Sequence, residues 1–282
     1  MPSVDLDPKT LPDFPFTLDD YLVKPNEDVN LAKTPTRYAG PIEKEDGQLL
    51  LAHEHQRMIA LQEKLYAEGK QGLLIVFQAM DAAGKDSTVR HVFNPLDAAG
   101  CHVTSFKSPS KEELAHDYLW RVHHHTPARG DIAVFNRSHY EELLIVRVKG
   151  WQPEKVWKRR YDHMNCFEKI LTDEGTTVIK FFLHISKDYQ KQRLQRRLDR
   201  PDKHWKFNPE DLLERAAWSD YQHAFEDVFE KCSPKHAPWH IIPAERRWAR
   251  NLIVARIVAD TMEKMDPQIP EPTFDPASIK IE

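Results

Sequence analysis

The run Leu73-Leu74-Ile75-Val76-Phe77 is wholly apolar and is followed at once by Gln78-Ala79-Met80-Asp81-Ala82-Ala83-Gly84-Lys85-Asp86-Ser87-Thr88. Apolar residues without alternation predict a strand buried on both faces, as in a parallel sheet covered by helices. A strand, a loop of small residues ending in Gly-Lys and a helix form the setting of a Walker A phosphate loop. Small side chains let backbone N–H groups curl round an anion, and the helix N-terminus adds positive potential. On this reading Ala82, Ala83, Gly84, Asp86, Ser87 and Thr88 bind phosphate, and Lys85 reaches the phosphoryl group in transfer. The match to Gly-x-x-x-x-Gly-Lys-Ser/Thr is imperfect. Ala79 replaces the first Gly, and Asp86 replaces the hydroxyl residue that holds Mg2+. An ordinary strand–helix turn is the plain alternative.

Asp81 sharpens the reading. A carboxylate beside bound phosphates is unfavourable unless compensated, and Mg2+ takes carboxylate and phosphate oxygens together. Asp81 is also placed to orient or deprotonate an acceptor oxygen; capping of its own turn is the structural alternative.

The rest of the chain alternates as an α/β fold should. A helix is predicted over Glu43–Glu68, and a second from the phosphate loop to about Ala99, with Gly100 terminating it. Strands are expected at His102–Phe106, Ile132–Phe135, Thr177–Ile185 and Trp239–Ile242. Ser110 with Glu113 predicts a capping box for a helix through Trp120, and Ser186 caps a basic helix. A long amphipathic helix fits Pro209–Lys231, and a closing helix Glu245–Met265. Residues 1–40, rich in Pro, Asp and Lys, read as an irregular arm, 41–266 as one domain, and 267–282 as an irregular tail with four prolines.

The third strand ends Phe135-Asn136-Arg137-Ser138. Asn136 can hold a metal-bound water or a phosphate but supplies no charge. Arg137 stands at the C-terminal end of a parallel strand, where open sheets bind ligands, and its planar fork suits a phosphate. From Lys191 to Lys206, seven Lys/Arg stand against two Asp, and the next stretch, Phe207–Cys232, reverses the balance with seven acids against two bases. Arg193 and Arg197 are four apart and share a helical face. Pro201 breaks that helix, so residues 187–210 read as a mobile lid that closes over a polyanion. Trp157-Lys158-Arg159-Arg160-Tyr161 is a second basic patch, equally open to a surface or a substrate role, and His123–His125 read as structural.

Composition excludes several classes. The 282 residues carry 40 Lys+Arg against 44 Asp+Glu, a net charge of −4, which argues against a general nucleic-acid binder. No apolar run approaches the roughly 20 residues of a membrane span. No signal peptide is legible, and three scattered cysteines offer neither disulfide framework nor metal spacing, so a reduced, cytoplasmic protein is expected.

Taken together, MDAAGKDST (Met80–Thr88), FNRSHYE (Phe135–Glu141), the lid run QKQRLQRRLDRPDKHWK and APWHIIPAERRWAR (Ala237–Arg250) resemble the polyphosphate kinase 2 family over roughly Asp46–Met265. The resemblance implies a P-loop kinase fold related to thymidylate kinase: three layers, a five-stranded parallel sheet and a helical lid. It implies transfer of a terminal phosphate between inorganic polyphosphate and an adenine nucleotide, dependent on Mg2+ or Mn2+, in a homo-oligomer that engages neither nucleic acid nor membrane. Catalytic roles then fall to Asp81, Lys85 and Arg137, and polyphosphate contacts to Arg193, Arg197, Lys203, Lys206 and Arg121. Many members carry Gly at position 79, a carboxylate at 136 and Trp-Tyr-Asn-Arg where this chain has His139-Tyr140-Glu141-Glu142. The metal set expected here is therefore Asp81 and Asn136, with Glu141 restoring the missing charge. A single domain copy sets aside the tandem-domain, AMP-directed class and favours the class that accepts AMP and ADP. An ATP-dependent nucleotide or small-molecule kinase is the competing enzyme reading, and a non-enzymatic nucleotide or nucleic-acid binder with a degenerate loop the non-enzyme one.

Overall fold

All seven residues of the strand that carries LLIVF are buried, because helices cover both of its faces. The computed structural model describes residues 11–281 apart from 13 and 15, so the first ten residues of the expected arm lie outside the described residues. Helix α1 (Lys44–Glu68) leads into β1 (Gly72–Gln78), α2 (Lys85–Phe93), β2 (Cys101–Ser105), α3 (Trp120–His123), β3 (Ile132–Asn136), α4 (Ile145–Val148) and α5 (Glu154–Asp173). Then follow β4 (Thr176–His184), α6 (Lys187–Leu198), α7 (Glu210–Ala216), α8 (Trp218–Lys231), β5 (Trp239–Pro243) and α9 (Arg247–Met265). The five strands form one sheet in the order β2-β3-β1-β4-β5, every pair parallel.

Alternation within β1 divides the core. Leu73, Ile75 and Phe77 face a cluster with Met58 and Leu65 of α1, Val89 of α2 and Ile253 and Ile257 of α9. Leu74 and Val76 face Phe135, Phe167 of α5, and Phe225 and Phe229 of α8. At about 25 cal/mol per Å² of apolar surface buried, these two faces supply most of the drive to fold. β1 lies between β3 and β4, so its C-terminal end is a topological switch point where the crossovers diverge and a crevice opens.

Several boundaries differ from the sequence expectation. Helix α2 stops at Phe93 rather than Ala99, because Pro95 has no N–H to continue the ladder. The Ser110–Glu113 capping box forms, with Ser110 N–H donating to Glu113 at 2.6 Å and Glu113 N–H to Ser110 Oγ at 3.2 Å. It starts only a 3-10 turn, Glu113–Ala115, and α3 begins separately at Trp120. The long helix expected over Pro209–Lys231 is two, broken at Ala217, which lets Trp218 pack against both core clusters. The part of the arm that is described holds the β5 edge. Leu22 bridges His240 antiparallel, Val23 N–H donates to Trp239 O at 2.9 Å, and Ile241 N–H to Tyr21 O at 2.8 Å. Among the described residues no helix is long and apolar enough to cross a membrane.

Candidate active site

The phosphate loop is set by two backbone conformations and one buried arginine. Ala82 (φ +64°) and Gly84 (φ +103°) are left-handed. A Cβ on Gly84 would also lie 2.5 Å from Nη1 of Arg250, so only glycine fits there. Thr88 N–H is bonded to Gly84 O, and the N–H groups of Gly84, Lys85, Asp86 and Ser87 meet no acceptor among the described residues. Unpaired N–H groups at a helix N-terminus are suited to an anion.

Lys85 is buried and donates to Ala79 O at 2.8 Å. Burial, and then Arg137, push its ammonium below the usual lysine pKa, while Asp81, Glu141 and Asp86 pull it back. Across the crevice, Arg137 also adopts a left-handed conformation, φ +63°, its N–H bonded to Phe77 O at 3.1 Å. Such a conformation costs about 1–3 kcal/mol in a residue with a Cβ and persists only where its surroundings enforce it. Arg137 pairs with Asp81 at 3.3 Å. Burial opposes its charge, but Glu141, Asp81 and Asp86 outweigh that and raise its pKa.

The enforcement lies beneath the 3-10 turn His139–Glu142 that follows Arg137. Ser138 Oγ accepts from Gln78 at 3.2 Å and from Tyr140 N–H at 3.2 Å. Below it, Tyr140 donates to Glu168 Oε1 at 2.9 Å, and Lys180 Nζ donates to Glu168 Oε2 at 2.5 Å, to the Tyr140 hydroxyl at 2.8 Å and to Cys232 O at 2.8 Å. His139 lies 3.3 Å from the same carboxylate. Burial pushes the Glu168 carboxyl up, but Lys180 and His139 reverse this and leave it below the usual carboxylate range.

A cleft of about 1320 Å³ opens over the loop. Asp81, Ala82, Gly84, Lys85, Asp86, Ser87, Asn136, Arg137, Glu141, Arg193, Arg197, Lys203 and Lys206 all line it. Three expected phosphate contacts do not. Ala83 is buried, with its carbonyl held by Arg250 at 3.2 Å. The Thr88 hydroxyl is engaged with Gly84 O at 3.1 Å inside the first helical turn. Arg121 turns to Lys107 O at 2.8 Å and Glu113 at 3.4 Å, where it supports the wall instead of forming it. The patch around Arg160 also lies off the cleft: Arg160 is bound to Glu142 and lies over the Tyr118 ring.

The expected metal residues are rearranged. Asn136 Nδ2 donates to Asp86 Oδ1 at 2.7 Å, so the amide orients a carboxylate. A carboxylate does not itself accept a phosphate, so Asp86 meets one through its N–H or a shared cation. Among the described residues no three His, Cys, Asp or Glu side chains converge to hold a metal, so Glu141 does not complete a cage with Asp81 and Asp86. The charge of Glu141 acts on Arg137 and Lys85 instead. Two carboxylates on the wall of a phosphate cleft still suit Mg2+, which takes one or two of them with water and phosphate oxygens.

A family model described as polyphosphate kinase 2 matches residues 41–270. The chain belongs to the polyphosphate kinase 2 family. It is therefore a phosphotransferase. It is 51% identical over 232 residues to the AMP/ADP-polyphosphate phosphotransferase of Meiothermus ruber, covering 82% of this chain and 87% of that one. It is 43% identical to the ADP-polyphosphate phosphotransferase of Rhodopseudomonas palustris, covering 90% and 92%. The crystal structure of polyphosphate kinase 2 from Arthrobacter aurescens superposes with a TM-score of 0.87 at 42% identity, covering 91% and 95%. The five-stranded parallel α/β fold expected from the resemblance is thus shared with solved members of this polyphosphate kinase family.

Sequence reasoning counted Arg196 and Arg200 only as part of the basic run, and missed other residues of this polyphosphate kinase cleft: Arg247, Lys149, Trp151, Glu214 and Tyr221. Arg247 follows β5 as Arg137 follows β3, so the rule that found Arg137 would have found it. Trp151 and Tyr221 carry no local signal, since only the fold brings them to the cleft.

Proposed function

We propose that this chain transfers the terminal phosphoryl group of inorganic polyphosphate to AMP and ADP, giving ADP and ATP, with Mg2+ or Mn2+. The observation that carries this reading is the polarity of the cleft. Its lining brings together Arg193, Arg196, Arg197, Arg200, Lys203 and Lys206 and, as a second set, Leu144, Ile145, Trp151 and Leu213. A long polyanion matches the first and a nucleoside the second. The relatives named for polyphosphate transfer to AMP or ADP support the same substrates, and the higher identity to the AMP/ADP enzyme supports use of both.

The transition state of phosphoryl transfer is loose, so the protein's task is to position the groups and stabilise charge. The free N–H groups of Gly84–Ser87 hold the transferring phosphate, and Lys85 leaves Ala79 O to join them. Asp81 faces the acceptor oxygen and orients it, while Arg137, fixed by its strained turn, meets the equatorial oxygens. Asp81 and Asp86 would hold Mg2+, which when bound neutralises phosphate oxygens. Residues 187–210 act as the lid over one domain, 41–266. Gln190 Nε2 ties the base of the lid to Asp81 O at 3.0 Å, and Arg197 ties its far end to Asp211 at 2.9 Å, so closure is transmitted to the loop. The free thiols of Cys101, Cys166 and Cys232 support work in the reducing cytoplasm, and the family resemblance supports a homo-oligomer.

The test offers AMP or ADP with either polyphosphate or ATP as donor. Conversion of AMP through ADP to ATP from polyphosphate is expected, and Lys85→Ala should lower it by about 10³-fold or more. Activity with ATP alone as donor would overturn the reading.

A further inference from the structure

Helix α7 (Glu210–Ala216) buries none of its residues, and its Leu212 and Leu213 are exposed. Apolar packing therefore does not fix its place; polar side chains do. Asp211 pairs with Arg197 at 2.9 Å, and Glu214 pairs with Lys149 at 2.6 Å and accepts from the Tyr221 hydroxyl. Arg215 binds the base of the lid instead. Its Nη1 donates to Lys187 O at 2.5 Å and to Gln190 Oε1 at 3.2 Å, both on α6. Gln190 is 0% exposed, and its Nε2 donates to Asp81 O at 3.0 Å. These two partners fix which way the amide points, because a carbonyl only accepts and a guanidinium only donates. Among the described residues Asp81 O accepts no other hydrogen bond. The peptide it belongs to leads into Ala82, whose φ of +64° a residue with a Cβ holds only where its surroundings enforce it. Neither Arg215 nor Gln190 lines the cleft.

We propose that Arg215 is a positioning residue for the phosphate loop: it sets the Gln190 amide, which holds the Asp81–Ala82 peptide and with it the direction of the Asp81 carboxylate. The inference rests on the reading above that Asp81 orients the acceptor oxygen, and it adds the residue on which the tie between lid and loop depends. Without Arg215, Gln190 Oε1 is a buried acceptor that has lost its donor, which is unfavourable. Rotating the amide to find another donor would bring its oxygen against Asp81 O, two acceptors face to face. Either way the hold on the peptide loosens, and with it the alignment of Asp81 against Arg137, now 3.3 Å apart. A displacement of about 1 Å at a reacting group is enough to cost up to roughly 10²-fold in rate.

The test is a double-mutant cycle on turnover. Wild type, Arg215→Met, Gln190→Met and the double variant are compared, with Arg215→Lys as the conservative change, each checked for folding by thermal melting. Steady-state kinetics vary polyphosphate and ADP separately. Arg215→Met should lower kcat by about tenfold and leave both KM values within about twofold, and Arg215→Lys should recover part of the loss. Gln190→Met should lower kcat at least as far. The double variant should match Gln190→Met within about twofold, because Arg215 acts only through that amide. Since α7 buries nothing, the Arg215 variants empty no core; if Arg215→Met nevertheless does not fold, Arg215→Gln takes its place with the same expectations. Wild-type kcat in Arg215→Met would overturn the proposal, as would losses that multiply in the double variant. An unchanged kcat with a raised KM for polyphosphate would also overturn it, since α7 would then serve only to hold Arg197. A wild type that works with ATP but not with polyphosphate would refute the functional reading instead, and the same cycle run with ATP as donor would still decide the role of Arg215.

Discussion

Changing Glu168 to Gln keeps the shape of the side chain and removes one charge from a pair whose two side chains are both fully buried. Lys180 then retains only neutral acceptors, the Tyr140 hydroxyl and Cys232 O. Breaking a buried pair from one side costs about 3–5 kcal/mol, a large share of the roughly 5–15 kcal/mol that holds a typical domain together. At about 2–4 °C per kcal/mol for a chain of this size, the melting temperature should fall by roughly 6–20 °C. Lys180→Met should cost a similar amount by stranding the carboxylate. The double variant should nevertheless be more stable than either single one by about 1–2 kcal/mol, because the amide that replaces the Glu168 carboxylate still meets Tyr140 and His139 and no charge is left buried. Urea denaturation of the four proteins at pH 7.5, followed by circular dichroism, measures this. If the two losses simply add, the Glu168–Lys180 pair is not the unit that supports the turn after Arg137.

Gly84→Ala forces a Cβ into a left-handed residue and to within 2.5 Å of Arg250. Kinetics should show about tenfold or greater loss of kcat, and the melt a loss of about 1–2 kcal/mol. Asn136→Asp replaces a hydrogen bond to Asp86 by a repulsion across 2.7 Å. Thermal melts should find the variant less stable than wild type without Mg2+ and raised further by Mg2+ than wild type is. Acid stability rests partly on His240. Burial lowers its imidazole to about 4, so the folded state holds it neutral. Its folded pKa lies below its unfolded one near 6.5, so its contribution is complete above 6.5 and is lost as pH falls toward 4, about 3 kcal/mol in all. His240→Phe should therefore flatten the decline in urea stability between pH 7 and pH 4.5, leaving the shallower slope from His139 and His184, which are lowered the same way.

The Gly-Lys loop, the strand before it and the basic run 191–206 are local patterns, and the loop follows β1 while the basic run begins in α6 after β4. The pairing of Asn136 with Asp86 was not legible, because it depends on the register that sets Phe77 beside Asn136. The same register turns the amide nitrogen of Asn136 to Asp86 and leaves its oxygen unengaged among the described residues. Lys180 gave no warning either: in TVIKFFLHI it stands as a lone charge in an apolar run, and its partner lies on another element. Arg121, carried over from the resemblance, turns its guanidinium to Lys107 O and Glu113, partners that no local pattern announces. Ala217 ends α7 for a tertiary reason, the seating of Trp218 between two cores, which helical periodicity does not contain.

The arm across β5 sets an order of events during synthesis. Val23 accepts a hydrogen bond from Ser233, 210 residues further along the chain. At about 5–20 residues per second, the ribosome needs roughly 10–40 s to make that partner after the arm has emerged. Through that interval Val23 also lacks its β5 partner, Trp239 O, to which its N–H donates. The arm must therefore wait for β5 before it can dock, and the edge it covers does not exist until β5 has paired with β4.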